Sequence, residues 1–204
     1  MSELYDKFKR AILTKQIDLT TDTIKAVLID LDDYAMIVSA ATNASPIQIT
    51  TGTHGLTTGN RVTITGVVGN TAANALWTVT VVDSTNFTLD GSTGNGAYTS
   101  GGHAVDLTND EFLSDIAAGA RVATATLSTV TVAAPGGTVD ADDTTFTTVT
   151  GDQSEAVVLY HDTGVEATST LIACLDASTV TGLPVTPGGG NLDITWHADG
   201  IFKL

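Results

Sequence analysis

Histidine, cysteine and carboxylate are the side chains that could carry chemistry in this 204-residue chain, and their spacing decides whether they can act together. The four histidines are His54, His103, His161 and His197. No pair has the i, i+4 or short-loop spacing with which two imidazoles reach one metal ion, so they read as turn and surface residues. The single cysteine, Cys174, lies in the apolar run Leu171-Ile172-Ala173-Cys174-Leu175, where a thiol behaves as a small hydrophobe with a raised pKa. One thiol excludes an internal disulfide and a cysteine metal site. Asp140, Asp142 and Asp143 could offer oxygen ligands to Ca²⁺. An EF-hand loop, however, needs a glycine at its sixth position and a bidentate glutamate at its twelfth, and this segment runs through Thr144-Thr145-Phe146 to Gly151-Asp152. A turn capped by Asx side chains is the preferred reading, with calcium as the alternative.

Phosphate chemistry fails on the same test of spacing. Neither Gly136-Gly137 nor Gly188-Gly189-Gly190 is followed by Lys-Ser or Lys-Thr, and neither stands between a strand and a long helix. Both read as turns. There is no G-x-S-x-G elbow, so the chain is expected to be non-enzymatic and to use no cofactor.

Charge narrows the partners. Eight basic against 23 acidic side chains leave a net charge of −15, which repels DNA, RNA and anionic lipid, so neither nucleic acid nor membrane is an expected partner. No stretch approaches the ~18 apolar residues of a membrane span, and MSELYDKFKR has no apolar h-region, so a cytoplasmic site of synthesis is expected. Within the chain the charge is uneven: Lys7, Lys9, Arg10, Lys15 and Lys25 precede residue 26, leaving Arg61, Arg121 and Lys203 for the rest. A basic head on an acidic body is either an electrostatic handle for an acidic neighbour or a solvated helix face.

The elements follow from periodicity. Over residues 2–16, Leu4, Phe8 and Ile12 recur every fourth residue among Lys7, Lys9 and Arg10, the pattern of an amphipathic helix. Residues 24–29 read as a buried strand with Ile24, Ala26 and Leu28 on one face, Val27 and Ile29 on the other. From 41 to 103 the texture changes to alternating strands and Gly-Asn turns with almost no charge: strands at 47–51, 61–65, 77–82 and 87–89. Residues 108–116 read as a short helical piece in which Thr108 and Glu111 have capping-box spacing. Further strands are expected at 121–127, 129–133, 146–149, 156–161, 170–175, 192–196 and 201–204, joined by Pro135-Gly136-Gly137 and Pro187-Gly188-Gly189-Gly190. With 42% hydrophobic and only 15% charged residues, the polar surface must come from Thr, Ser, Asn and Gly, typical of exposed strand faces and turns. The fold class is therefore mainly β: a β-sandwich or barrel-like base (1–40 plus 104–204) with an N-terminal helix, carrying a separate small β domain inserted at 41–103, for which the resemblance given next implies a β-barrel.

Two resemblances refine this. The run HGLTTGNRVTITGVVGNTAANALWTVTVVDSTNFTLDG, followed by AYTSGG, resembles the FCCH-like small β-barrel module, named after a domain of ubiquitin-activating enzymes and found in many tailed-phage structural proteins. The match includes His54-Gly55-Leu56, Gly66, Gly69-Asn70, Asn74, Trp77, Phe87 and Gly101-Gly102, and implies no ubiquitin chemistry. The flanks LYDKFKRAILTKQIDLTTDTIKAVLIDLDDY, EFLSDIAAGARVATATL, DADDTTFTTVTGDQSEAVVLYHDTG, TGLPVTPGGG and GIFKL together resemble an uncharacterised family of phage and prophage virion structural proteins encoded among head and tail genes. Many members of that family run directly from the Tyr34 region to the Phe112 region, so the insert departs from its basic pattern.

The resemblance implies a structural component of a tailed-phage virion, assembled in the host cytoplasm. A capsid decoration or stabilising (cement) protein bound to the major capsid protein is preferred over a neck or tail protein. By analogy with decoration proteins it is a homo-oligomer, a trimer as first guess. The rival from another class is a carbohydrate-binding module of a tail fibre, for which Trp77, Tyr98, Tyr160 and Trp196 are the available aromatics. The expected assembly anchor is the N-terminal helix: Leu4, Phe8 and Ile12 as an apolar stripe that packs against the base or a neighbour, with Lys7, Lys9, Arg10 and Lys15 as its basic face.

Overall fold

The structure, a computed structural model, describes residues 3–134 and 136–204, so Ser2 of the expected helix and Pro135 of the first Pro-Gly-Gly turn lie outside the described residues. The chain is mainly β, and it divides into two compact units: Tyr34–Asn109 forms one, and the segments before and after it form the other.

The base begins with strand β1 (Glu3–Leu4), helix α1 (Asp6–Leu13) and strand β2 (Ile24–Ile29). The insert follows with β3 (Met36–Ile37), β4 (Ala40–Ala41), β5 (Ile47–Thr50), β6 (Arg61–Thr65), β7 (Leu76–Val81), β8 (Asn86–Leu89) and β9 (His103–Asp106). The base resumes with β10 (Arg121–Thr126), β11 (Thr131–Ala133), β12 (Thr138–Asp140) and β13 (Thr144–Phe146). It ends with β14 (Ala156–His161), β15 (Leu171–Asp176), β16 (Leu192–Ile194) and β17 (Phe202–Lys203).

In the base, a five-stranded antiparallel sheet has the order β1-β15-β14-β2-β10. Its three central strands are almost wholly buried, so apolar residues occupy both faces rather than alternating with polar ones. One face carries Ile24, Ala26, Leu28, Val157 and Leu159, and over it lie α1, the three-stranded sheet β11-β12-β17 and the pair β13-β16. Phe8 of α1, Phe146, Ile194 and Phe202 fill the layer between, with the Phe8 and Phe202 rings edge to face at 5.9 Å. This is a sandwich with one helix in its second layer.

The insert is one seven-stranded antiparallel sheet, order β3-β9-β6-β7-β8-β5-β4, whose two edge strands are successive pieces of a single segment. That segment closes the curl. Val38 donates its N–H to Gly102 O on the β9 side, while Ser39 and Thr42 donate to Thr50 O and Gln48 O on the β5 side. Gly102 sits at this seam with φ 111°, and a Cβ there would lie 2.5 Å from Val67 Cγ2 and 3.2 Å from Val38 Cβ, so the closure requires glycine. Ile47, Ile49, Val62, Ile64, Val79, Phe87 and Leu89 form the barrel's own core.

Three expectations change. The insert spans Tyr34–Asn109 rather than 41–103, because Met36 and Ile37 pair with Ala104 and His103 and so belong to the barrel. The N-terminal helix starts only at Asp6, because Leu4 pairs with Ala173 at the sheet edge and Tyr5 donates to Ile172 O. Thr108 and Glu111 do not form the expected capping box: Thr108 Oγ1 accepts from Arg61 N, and it is the Asp115 carboxylate that caps the Glu111 and Phe112 amides at a 3₁₀ turn, Leu113–Asp115.

The graft point follows from register. Ile29 at the end of β2 pairs with Arg121 at the start of β10, so the whole insert interrupts a hairpin connection. Replacing Tyr34–Asn109 by a short Gly-Ser linker is therefore expected to leave a soluble base with a single cooperative melt, and Tyr34–Asn109 expressed alone to fold as well. The narrower excision of 41–102 is expected to melt less cooperatively, since it leaves β3 and β9 without their barrel. Thermal unfolding of the three proteins, followed by circular dichroism, checks this.

Candidate assembly surface

The residues expected to anchor the protein are bound largely into its own base. Phe8 is wholly buried in the sandwich layer, and Leu4 is partly buried on strand β1 rather than on the helix. The apolar stripe thus packs against the base, as amphipathic helices do when a sheet face is there to receive them. Ile12 is partly buried at the rim of that core. The large apolar side chain that α1 offers to solvent is Leu13, at 83% exposure.

Most of the basic face is committed as well. Lys7 Nζ lies 3.3 Å from Glu111 Oε2 and 4.6 Å from the Phe112 ring centroid, where the ring's negative face adds to the attraction. Arg10 pairs with the other oxygen of Glu111, and Lys9 reaches Asp6 at 3.3 Å within the helix. Glu111 therefore gathers two cations from α1 onto the segment that returns from the insert. No local pattern announced this, because the partners are about a hundred residues apart in sequence. Lys15, with the left-handed φ of 56° just past the helix end, has no carboxylate in ion-pair range among the described residues, and the same holds for Lys203.

Elsewhere the reactive side chains are tied into the fold. Among the described residues no group of three His, Cys, Asp or Glu side chains is placed to hold a metal ion. His54 Nδ1 accepts from Leu56 N at 3.0 Å with its ring edge-on to Phe87, His197 Nδ1 accepts from Asp199 N, and His161 stands 3.6 Å from Asp22. Burial pushes the Cys174 thiol up to about 12, with the nearby Asp176 charge acting in the same direction. Asp142 and Asp143 act as cross-links, Asp142 accepting from Thr129 Oγ1 at 2.6 Å and Asp143 from Trp196 N at 3.0 Å, while Asp140 accepts from the neighbouring Ala141 N within its turn. The four aromatics that a sugar site would use are also engaged. Tyr160 and Trp196 are buried, Trp196 Nε1 donating to Asp142 O, while Trp77 Nε1 donates to Ala73 O and the Tyr98 hydroxyl to Val38 O.

A further charge pair of the base lies at the start of β2. Lys25 Nζ is 2.6 Å from Asp162 Oδ2; this hydrogen bond first, then the Gly164 amide, holds the Asp162 carboxyl below the usual carboxylate range, while the Lys25 ammonium is pushed up by the same bond. Nearby, Arg121 grips both oxygens of Glu166 at 2.8 and 3.1 Å and lowers its pKa. Among the described residues no helix is long and apolar enough to cross a membrane. No family model matches the chain, and no curated protein matches it either.

Two measurements check this assignment. Phe8→Ala is expected to cost the base about 3 to 5 kcal/mol in urea unfolding, as for a large core truncation. Leu13→Ser, at an exposed position, is expected to stay within about 0.5 kcal/mol of the parent. The second concerns pH. Because the Asp162 pKa is lowered on folding, its contribution is present above its ordinary value of 3.8 and is lost as the pH falls through the folded value. The raised Lys25 pKa contributes below 10.5 and is lost only as the pH rises through its folded value. Asp162→Asn is therefore expected to be less stable than the parent at neutral pH, with the difference shrinking on acidification below about pH 4. A difference independent of pH would contradict it.

Proposed function

We propose that the protein is a non-enzymatic structural component of a tailed-phage virion, acting as a capsid decoration or cement protein. The observation that carries this reading is the graft. A barrel with its own core and its own closure is spliced into the connection between two paired base strands, so that it is added without altering the base core. Such a division of labour suits a particle protein in which one unit holds on to the shell and the other is carried. The engagement of His54, His161, His197, Cys174 and the Asp140–Asp143 carboxylates in turns, core and cross-links supports a scaffold rather than a catalyst. The inward commitment of Trp77, Tyr98, Tyr160 and Trp196 weighs against a sugar-binding module.

In this reading the partners are other virion proteins, the major capsid protein first and neck or tail proteins second, used in several copies so that modest contacts sum by avidity. The surplus of negative charge keeps the protein off nucleic acid and anionic lipid. Immunogold labelling of purified particles, together with mass spectrometry of their proteins, tests it. The chain is expected in the particles with label over the capsid faces. Label confined to the neck or tail would move the protein there, and its absence from purified particles would overturn the virion reading.

A further inference from the structure

Among the described residues two threonines have a left-handed φ, Thr129 at 53° and Thr148 at 55°. A β-branched residue is strained there, because Cβ and its two substituents crowd the backbone. Thr129 lies in the turn between β10 and β11 and is held from both sides: Leu127 and Val130 pack against the base core, and Leu127 donates its N–H to Ile24 O. Asp142 meets both ends of the peptide unit that joins Ser128 to Thr129. Its Oδ2 accepts from Thr129 Oγ1 at 2.6 Å and from Ser128 Oγ at 3.3 Å, and its N–H donates to Ser128 O at 3.1 Å. Asp142 is itself fixed, its carbonyl accepting from Nε1 of the buried Trp196 at 3.0 Å. Thr148 supplies the contrast. Its N–H donates to Asn191 Oδ1, but among the described residues no carboxylate meets its hydroxyl and no N–H meets the Thr147 carbonyl.

The cross-link that ties Asp142 into the fold thus sets a hydroxyl beside a proton acceptor, an N–H on the neighbouring carbonyl oxygen, and strain in the residue between them. Ser128 and Thr129 are exposed, so water reaches the same bond. We propose that the chain cuts itself between Ser128 and Thr129. Thr129 Oγ1 attacks the Ser128 carbonyl carbon through a five-membered ring, while the Asp142 carboxylate takes the hydroxyl proton and the Asp142 N–H stabilises the oxyanion. Collapse breaks the C–N bond, and the proton passes from Asp142 to the departing Thr129 nitrogen, leaving an ester between Ser128 and Thr129 Oγ1. Loss of that peptide bond releases the constraint on the Thr129 φ. One water then hydrolyses the ester, giving a Ser128 carboxylate and a Thr129 with free amino and hydroxyl groups. The reaction consumes water alone, runs once per molecule and acts on no outside substrate, so it stands or falls without the virion reading. The two pieces stay together, because β2 belongs to the first and its partner β14 to the second.

Intact-mass spectrometry of the purified full chain, incubated at neutral pH with and without hydroxylamine and then denatured, tests it. Pieces 1–128 and 129–204 are expected, with masses that sum to the parent's plus one water. Hydroxylamine, which captures the ester as a hydroxamate on Ser128, is expected to raise the yield several-fold. Thr129→Ala, which lacks the nucleophile, is expected to stay intact, and Thr129→Ser to be cut. Asp142→Asn is expected to slow the cut about a hundredfold, the loss of a positioned proton acceptor. A parent that keeps a single mass in hydroxylamine, or a cut at any other bond, would overturn the proposal. So would a Thr129→Ala chain cut like the parent, which is the mark of a contaminating protease, or an Asp142→Asn chain cut at the parent's rate. The parent's own masses decide the matter if a variant fails to fold, and because the readout is purified protein alone, none of these results bears on whether the chain belongs to a virion.

Discussion

Everything in the base depends on keeping β2 in the middle of the sheet. Its residues are buried on both faces, with Val27 paired to Val158 on one side and to Thr124 on the other, so the strand cannot move to an edge without exposing Val27 and Ile29 together. The two ends of the strand then have different uses. At the start, Lys25 is held by Asp162; at the finish, the chain is released into the insert and recovered at Arg121. An interruption of more than seventy residues is tolerated there because loop closure costs free energy only slowly with length, and because the barrel folds on its own core.

The helix is fixed by a different balance. Burial of Phe8 supplies the larger share of its docking energy, roughly 1.5 to 3 kcal/mol for a side chain of that size. The pairs at Glu111 are partly exposed and contribute less, but they determine the register of the helix against the returning segment, since one carboxylate must meet both Lys7 and Arg10. The electrostatic handle suggested by the basic head is thus mostly spent inside the chain. What remains for neighbours is the far end of the helix, where Leu13 and Lys15 stay uncovered.

The barrel solves the problem of sheet edges by making one segment serve both. Closing at Val38 and Ser39 leaves β3 and β4 paired on opposite sides of the same stretch of chain, and Gly102 permits the close approach. The base does not close. Its second layer is assembled from short strands, and β11 stays at an edge.

Much of this was legible from residue order alone. Period-two alternation and turn chemistry locate β2, β6 and β14 to the residue and most other expected strands to within one or two, because those patterns are written between neighbours in sequence. The mainly β class and the presence of a separate small β domain follow from the same local signals; its closure into a barrel does not. Tertiary structure alone decided what depends on distant partners. Leu4 has helical spacing but becomes a strand because the edge of β15 is there to pair with it. The 138–140 stretch becomes a strand between β11 and β17 although turn residues surround it. The insert's limits move outward because Met36 and Ala104 meet, and Lys7 and Arg10 turn from a docking face into an internal clamp because Glu111 arrives from a hundred residues away. Local periodicity tells a residue which conformation suits it; only the folded chain determines which side chains and edges are used up within the molecule and which are left for another.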